Sequence, residues 1–506
     1  MDQRLPIERS LPHEALIPRF DQIKIDLDFI TPPVRNIMTK LKNAGHTSYI
    51  VGGCVRDWLL GYDSKTFLRK GGDFDIATSA PVEEMREIFT SFPQILDGMD
   101  FGTLKVMIKG DIYEITTYRV DGAYRDGRHP DEVIFSNQII DDLSRRDFTI
   151  NAMAADATGS ILYPFDGRAD LISHRIRTVG KPEARFQEDY LRILRAVRFA
   201  TTLGFSIEEQ TGEAMQAIMK NPRLFTQAVS SERILAELQK ILDTAPARGI
   251  QLLHKFGLLG VTTPINAVTL EPDSFTKLRD MLAYSRGDWL VNLALVGRYI
   301  PTMEISAEKR QEIQLQQMKK YLTEMATSKK DRTHILTLMK CSLLDSEMIK
   351  GLHSRLYERV WVQTILQSYR KEDTHINRIG DDLEEIYRVV IQVEQPELLE
   401  SVPQFLHRIY EHINREQHPV VLYMDGYDLK SLGIDGKIIG LILTELDLFR
   451  PQSKEAADEF VQELLHERNM SQHSTIIEQL GLNPSESLVE EIAKRREKIQ
   501  QLFNQD

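Results

Sequence analysis

Residues 51–78, VGGCVRDWLLGYDSKTFLRKGGDFDIAT, constrain the fold of this chain more than any other stretch. An apolar run, Tyr49-Ile50-Val51, stops at Gly52-Gly53, and helix-spaced Val55, Leu59 and Leu60 follow. Asp73, Phe74, Asp75 and Ile76 then alternate with the period of a strand, which predicts both carboxylates on one face. Two such charges repel unless a cation lies between them, and hard oxygen ligands suit magnesium, the metal of phosphoryl transfer. A strand that ends in glycines and leads into a helix lets backbone N–H groups approach a phosphate closely. Arg56, in the first helical turn, adds a guanidinium able to clamp phosphate oxygens. Alone, a Gly-Gly pair is a turn and a D-x-D is a solvated strand edge. Joined in one strand–glycine–helix–strand unit, they describe a site for a metal and a phosphate chain.

GG-x-VRD-x-LLG followed by D-x-DIAT resembles the head domain of the class II tRNA nucleotidyltransferases, the CCA-adding enzymes and their poly(A) polymerase relatives. The resemblance implies an α+β chain: a small mixed-sheet nucleotidyltransferase head followed by all-helical neck, body and tail domains. It places the magnesium on Asp73 and Asp75, the triphosphate on Gly53 and Arg56, and a third carboxylate on a neighbouring strand, for which Glu114 is the candidate. Between Gly61 and Asp73 the chain departs from the family, carrying YDSKTFLRKGG where a short turn is usual. This reads as a surface insertion, with Lys65, Arg69 and Lys70 able to reach the active site.

Helical spacing at Val34, Ile37, Met38 and Leu41 precedes the first strand, and FGTLKVMI with DIYEITTYR predicts a hairpin turning at Lys109-Gly110-Asp111. RVDGAYRDGRHP (119–130) lacks apolar periodicity and reads as a mobile loop. Its Asp121, Tyr124, Asp126, Arg128 and Pro130 resemble the flexible loop that the family associates with adding the terminal A, which argues against a CC-only enzyme. DDLSRRDFTINAMA (141–154) resembles the second signature block. There the family implies Arg146 on the triphosphate, Asp147 and Asn151 reading the ribose or positioning the arginine, and Arg145 as a structural group.

Leu191, Leu194, Val197 and Ala200 form an apolar helical stripe, and Asp189, Arg192, Arg195 and Arg198 recur every third residue on another face. Three arginines so spaced repel unless they meet an anion. The E-D-x-x-R-x-x-R-x-x-R-F block resembles the family's protein template, in which Asp189 and Arg192 pair with the incoming base while Arg195 and Arg198 hold register and touch nucleotide or phosphate. Arginine donates and aspartate accepts, which suits cytosine and adenine and leaves uracil and guanine with facing acceptors.

The chain has 506 residues and a net charge of −12, so binding of nucleic acid rests on local patches rather than bulk charge. Arg168–Arg198 is such a patch, with eight Lys or Arg against four acids. Cys54 and Cys341 are far apart, so no disulfide framework or zinc ribbon is indicated. There is no apolar run of about 18 residues to span a membrane and no signal-peptide pattern, and a cytoplasmic protein is expected.

The divisions expected are a lead-in (1–29), the catalytic head (30–155), a neck for nucleotide selection (156–270), a body (271–415), a tRNA-binding tail (416–468) and a C-terminal helical extension (469–506). In the neck, SSERILAELQKIL carries an N-cap serine, and no site residue is assigned to it. His334, His353 and His375 lack metal spacing and read as surface or satisfied core groups, and Trp289 and Trp361 read as core. Gly426, Asp428, Leu429, Gly433, Gly436 and Gly440 fit the family's tail pattern loosely, with Lys437 where proline is usual. Asn483, Pro484 and Glu486 open a last helix that is open to homodimerisation, packing on the tail, or RNA contact through Lys494, Arg495 and Arg496.

The expected partners are the tRNA 3′ end with CTP and ATP, and magnesium is the expected cofactor. Three alternatives stay open: an A-adding enzyme, a poly(A) polymerase, and a catalytically inactive RNA-binding scaffold.

Overall fold

The computed structural model describes residues 20–69, 71–121, 133–265, 270–302, 307–342 and 378–394. The expectations for Lys70, for Tyr124 to Pro130, for His353, Trp361 and His375, and for the tail and extension lie outside the described residues. The described residues divide into two compact units, one reaching Glu237 and including Lys255–Leu258, the other taking the rest.

The first unit is built on an eight-stranded mixed sheet. Its strands are β1 (Phe20–Lys24), β2 (Ser48–Val51), β3 (Asp75–Thr78), β4 (Gln94–Ile95), β5 (Thr103–Ile108), β6 (Asp111–Thr117), then β9 (Ala154–Ala155) and β10 (Ser160–Leu162). Their order is β1-β10-β9-β2-β3-β6-β5-β4. Every neighbouring pair is antiparallel except β3–β6, which is parallel. A separate two-stranded ribbon pairs β7 (Arg119–Asp121) with β8 (Val133–Phe135). The β5–β6 hairpin forms as expected, but turns on two residues, because Asp111 already pairs with Ile108. Lys109 and Gly110 both have positive φ (56° and 94°), the requirement of the tight turn whose twist matches the strands.

Alternation along the strands gives the sheet two different faces. On one, Ile50, Ile76, Leu104, Val106 and Ile115 pack under α1 (Pro32–Asn43), α2 (Gly53–Leu59), α3 (Ser64–Arg69) and α4 (Val82–Ile88). Helix α1 buries Val34, Ile37, Met38 and Leu41, the spacing read from the sequence. On the other face, Val51, Ala77, Ala154 and Leu162 meet Tyr118, Val179 and Leu143, the last from α5 (Ile139–Ser144).

Short elements α6 (Gly167–Ile172), β11 (Arg175–Ile176) and α7 (Pro182–Glu188) lead to α8 (Leu191–Leu203), after which come β12 (Ser206–Ile207), α9 (Glu209–Met219), α10 (Pro222–Ala228) and α11 (Ser231–Thr244). Helix α8 buries Leu191, Leu194, Val197 and Ala200, as the stripe predicts.

The described residues of the second unit are helical. They comprise the C-terminal end of α11, nearly all of α12 (Pro246–Lys255), then α13 (Leu259–Thr262), α14 (Pro272–Tyr284), α15 (Trp289–Gly297), α16 (Ala307–Glu324), α17 (Lys329–Ser342) and α18 (Ile379–Glu394). His334 is fully buried and hydrogen-bonded to Asp382 at 2.7 Å, a satisfied core histidine. Trp289 is only half-buried, because it occupies the first turn of α15 rather than its apolar middle. No described helix is long and apolar enough to cross a membrane.

Ile76 lies in β3 and is buried by the helices above it. Ile76→Ala is expected to cost about 2–5 kcal/mol, read as a lower midpoint of urea unfolding followed by far-UV dichroism.

Candidate active site

The carboxylates lie where β2 ends and β3 begins, with Glu114 in the middle of the neighbouring strand β6. Strand β3 opens at Asp75, not at Asp73 as the alternation predicted. The physical reason is pairing: Val51, the last residue of β2, sits opposite Asp75, and the chain then turns away at Gly52, leaving Asp73 without a ladder partner. Ile76 registers with Ile115 across the parallel β3–β6 pair, and both are buried on the helix-covered face. Asp75 and Glu114, each one residue earlier, therefore share the opposite face.

Asp73 and Asp75 are solvent-accessible. The protein around the Asp75 carboxyl nevertheless desolvates it and pushes its pKa up; Arg146 opposes this, while Glu114, Asp73 and Asp142 add repulsion. Glu114 faces Lys105 directly across the hairpin, with Nζ 3.2 Å from Oε1. Among the described residues no three His, Cys, Asp or Glu side chains are gathered as a ligand cluster.

The glycine turn closes the site on one side. Gly52 has φ +79°, and a Cβ there would lie 2.6 Å from Arg146 Nη1, so only glycine lets this guanidinium rest against the turn. Gly53 starts α2, and Arg56 follows within its first turn. Arg56 Nη1 donates to Asn151 Oδ1 at 2.7 Å and its Nε to Asp57 at 2.7 Å. Arg146 Nη2 donates to Asp142 at 3.2 Å, and Arg145 binds the other oxygen of the same carboxylate at 2.7 Å. Burial alone would raise the Asp142 pKa, but Arg145 and Arg146 hold it below the usual range. Cys54 is buried; desolvation and then the Asp75 charge push its thiol up to about 12, so it is a protonated packing group.

Asp147 joins the turn to α8. Its Oδ1 accepts from Asn151 Nδ2 at 3.1 Å and from the Phe148 N–H at 2.8 Å. Its Oδ2 accepts from Arg195 Nε at 2.8 Å and Nη2 at 2.7 Å. One chain of contacts thus runs Arg56–Asn151–Asp147–Arg195. Burial would raise the Asp147 pKa, yet Arg195, the Asn151 hydrogen bond and Arg192 hold it far below the ordinary carboxylate range.

The arginine stripe meets internal anions. Arg192 is buried, donating to Glu188 at 2.6 Å and to the Arg145 carbonyl at 3.0 Å. Arg198 pairs with Glu237, which also lies 3.6 Å from Arg195. Asp189 sits between α7 and α8 rather than on the helical stripe, capping the Leu191 N–H at 3.0 Å and accepting from Arg233 at 2.7 Å. Phe199 gathers three guanidiniums: its ring centroid is 3.7 Å from Arg198, 5.3 Å from Arg56 and 5.4 Å from Arg195.

The structure brings Gly53, Arg56, Arg146, Asp147 and Asn151 into one linked group and ties Arg195 to it, with Arg192 and Arg198 on the same helix. Sequence reasoning missed Asp142, Glu188, Arg233, Glu237 and Phe199 as members. Asp142, Glu188 and Phe199 stood inside quoted blocks, and charge balance alone pointed to carboxylates near so many arginines. Arg233 and Glu237 stood in the quoted SSERILAELQKIL stretch, but nothing local tied them to Asp189 and Arg198, since only the fold brings α11 against α8.

The depressed Asp147 pKa fixes the sign of an acid effect. Its contribution to stability is complete above about pH 4, the unfolded value, and is lost as pH falls through the lower folded value. Asp147→Asn is expected to flatten the stability–pH curve below about pH 4 and to cost on the order of 3–5 kcal/mol at pH 7, measured by urea unfolding at stepped pH.

Residues 48–177 match the poly A polymerase head domain, and residues 204–267 match the segment described as a probable RNA and SrmB-binding site of polymerase A. The CCA-adding enzyme of Geobacillus stearothermophilus is 45% identical over 224 residues, 44% of this chain and 52% of that protein. The Lactobacillus delbrueckii subsp. bulgaricus CCA-adding enzyme is 42% identical over 247 residues, 49% of this chain and 59% of that protein. The chain thus spans about half the length of the curated relatives it matches. The crystal structure of the Bacillus stearothermophilus CCA-adding enzyme in complex with CTP aligns with TM-score 0.51 at 27% identity, over 82% of this chain and 92% of that one. The Thermotoga maritima CCA-adding enzyme complexed with tRNA shares the fold, with TM-score 0.56 at 21% identity over 87% of this chain and 97% of that one. The chain is therefore similar to the poly A polymerase head domain over residues 48–177 and to CCA-adding enzymes over somewhat less than half of its length.

Proposed function

We propose that the chain is a tRNA nucleotidyltransferase that builds or repairs the 3′-terminal CCA from CTP and ATP without a nucleic-acid template. The observation that carries this reading is the juxtaposition at the end of β2. Val51 pairs with Asp75, Gly52 turns away with positive φ, and Arg146 lies against that glycine within electrostatic reach of the Asp75 carboxyl. Anion-binding groups and carboxylates side by side are what transfer of a nucleotidyl group from a triphosphate requires.

The donor set at Asp73 and Asp75 fits magnesium: hard oxygens, with Asp75 repelled by Glu114 and Asp73 in a way a divalent cation relieves. Bound there, the ion would supply positive charge to activate the tRNA 3′-hydroxyl and steady the departing pyrophosphate. Arg56 and Arg146, with the Gly53 N–H, bind and orient the triphosphate, and Asn151 and Asp147 keep Arg56 aimed at it. Glu114 adds negative charge to the same strand face and balances Lys105.

Asp189 and Arg192 select the base. Arg233 and the Leu191 N–H use three of the roughly four acceptor positions of a carboxylate, so Asp189 keeps capacity for an exocyclic amine. Glu188 and the Arg145 carbonyl fix the Arg192 fork, while Arg195 and Arg198 anchor the helix through Asp147 and Glu237. A cytoplasmic location goes with this function, and the assignment of 1–29, 30–155, 156–270, 271–415, 416–468 and 469–506 to lead-in, head, neck, body, tail and extension is carried forward as part of it.

A single-nucleotide extension assay tests the reading on two tRNA transcripts, one ending at the discriminator base and one in CC. CTP adding two residues to the first and ATP one to the second establishes CCA addition. Activity only on the CC-ended transcript would make it an A-adding enzyme; long A tails on any RNA, a poly(A) polymerase; no incorporation, an RNA-binding scaffold. Asp75→Ala is expected to abolish incorporation while leaving tRNA binding intact in a filter assay. Asp189→Ala is expected to erode discrimination of CTP over UTP by about 10–100-fold, the value of one mismatched buried hydrogen-bond pair, read from single-turnover rates.

A further inference from the structure

Asp73 has no strand to hold it, since β3 opens at Asp75. What fixes it lies in the insertion. Asp63 caps α3 by accepting from the Thr66 N–H at 2.7 Å, and α3 closes at Gly71 and Gly72, whose N–H groups donate to the Leu68 and Phe67 carbonyls at 2.9 and 3.0 Å. Helix α3 turns Lys65, Leu68 and Arg69 outward and buries a single residue, Phe67.

The Phe67 ring stands in a three-ring cluster, 5.5 Å from Phe29 and 5.1 Å from Phe74, with Phe29 and Phe74 themselves 5.6 Å apart. It also lies directly on Gly72, where a Cβ would come within 2.3 Å of the ring. Gly72 and Phe74 are the two neighbours of Asp73. Both are seated on one aromatic ring, and that ring belongs to the segment read from the sequence as a surface insertion.

We infer that Phe67 is a positioning residue for the metal-binding aspartates: the insertion is an internal brace that sets Asp73 beside Asp75. The inference rests on the proposed role of those aspartates. A brace acting through the backbone on both sides of a ligand behaves like the outer partners of metal ligands, whose loss costs about 10–100-fold in metal affinity.

The test measures Mn2+ binding to the full chain by electron paramagnetic resonance titration, with no nucleotide or RNA, alongside the Mg2+ dependence of CTP incorporation. Phe67→Ala is expected to weaken Mn2+ binding by about tenfold or more and to raise the Mg2+ concentration for half-maximal incorporation in parallel, with KM for CTP little changed. Phe67→Leu, which refills most of the volume, is expected to restore most of the affinity. Met85→Ala, a truncation of α4 within the same core, serves as the control for stability alone and is expected to leave Mn2+ affinity unchanged.

Wild-type Mn2+ affinity in Phe67→Ala, an equal loss in Met85→Ala, or no Mn2+ binding by the wild type each overturns the inference. Should Phe67→Ala fail to fold, the same comparison is made with Gly72→Ala, whose added Cβ displaces the ring; unchanged affinity there overturns it. Wild-type protein that incorporates no nucleotide, yet loses Mn2+ affinity on Phe67→Ala, defeats the proposed function and leaves the brace standing.

Discussion

One buried carboxylate, Asp147, holds the candidate site together. It accepts two guanidinium N–H groups from Arg195 on α8, while its other oxygen fixes Asn151 and through it Arg56 beside the glycine turn. Burying a charge is expensive unless it is paired and hydrogen-bonded, and Asp147 meets both conditions. The position of Arg56 relative to α8 is therefore set by charge-assisted hydrogen bonds, which have direction, rather than by apolar packing alone. Phe199 reinforces the arrangement by giving Arg56, Arg195 and Arg198 a common ring to lie against.

The same logic explains how an acidic protein offers a cationic site. The arginines are compensated by Asp142, Asp147, Glu188 and Glu237, so they are held in fixed directions instead of repelling one another. The aspartates at the head of β3 have the opposite problem. Asp75 is crowded by Glu114 and Asp73 with Arg146 as the opposing charge, and such a site gains from an added cation.

The residues proposed to face substrate were legible because their chemistry demands particular types at particular spacings. Gly52 must be glycine for Arg146 to reach the turn, and the arginine periodicity places Arg192, Arg195 and Arg198 on one helix. The strand alternation over-reached at Asp73, because a ladder ends where its partner strand ends and periodicity does not see the partner. Arg233 and Glu237 were illegible for a related reason: their partners Asp189 and Arg198 lie some forty residues away, and nothing local marks the pairs. Phe67 looked like surface insertion because its neighbours are charged, and its burial depends on Phe29 and Phe74 converging on it from both sides in sequence.

If Asp147 unites the glycine turn with α8, the two must be energetically coupled in holding nucleotide. The direct measurement is a double-mutant cycle on the equilibrium affinity for CTP, using Asp147→Asn, Arg195→Met and the pair. The account predicts a coupling energy of about 1 kcal/mol or more, within the range seen for residues sharing one ion-pair network. Losses that simply add would mean that the turn and the helix bind nucleotide independently, which would contradict it.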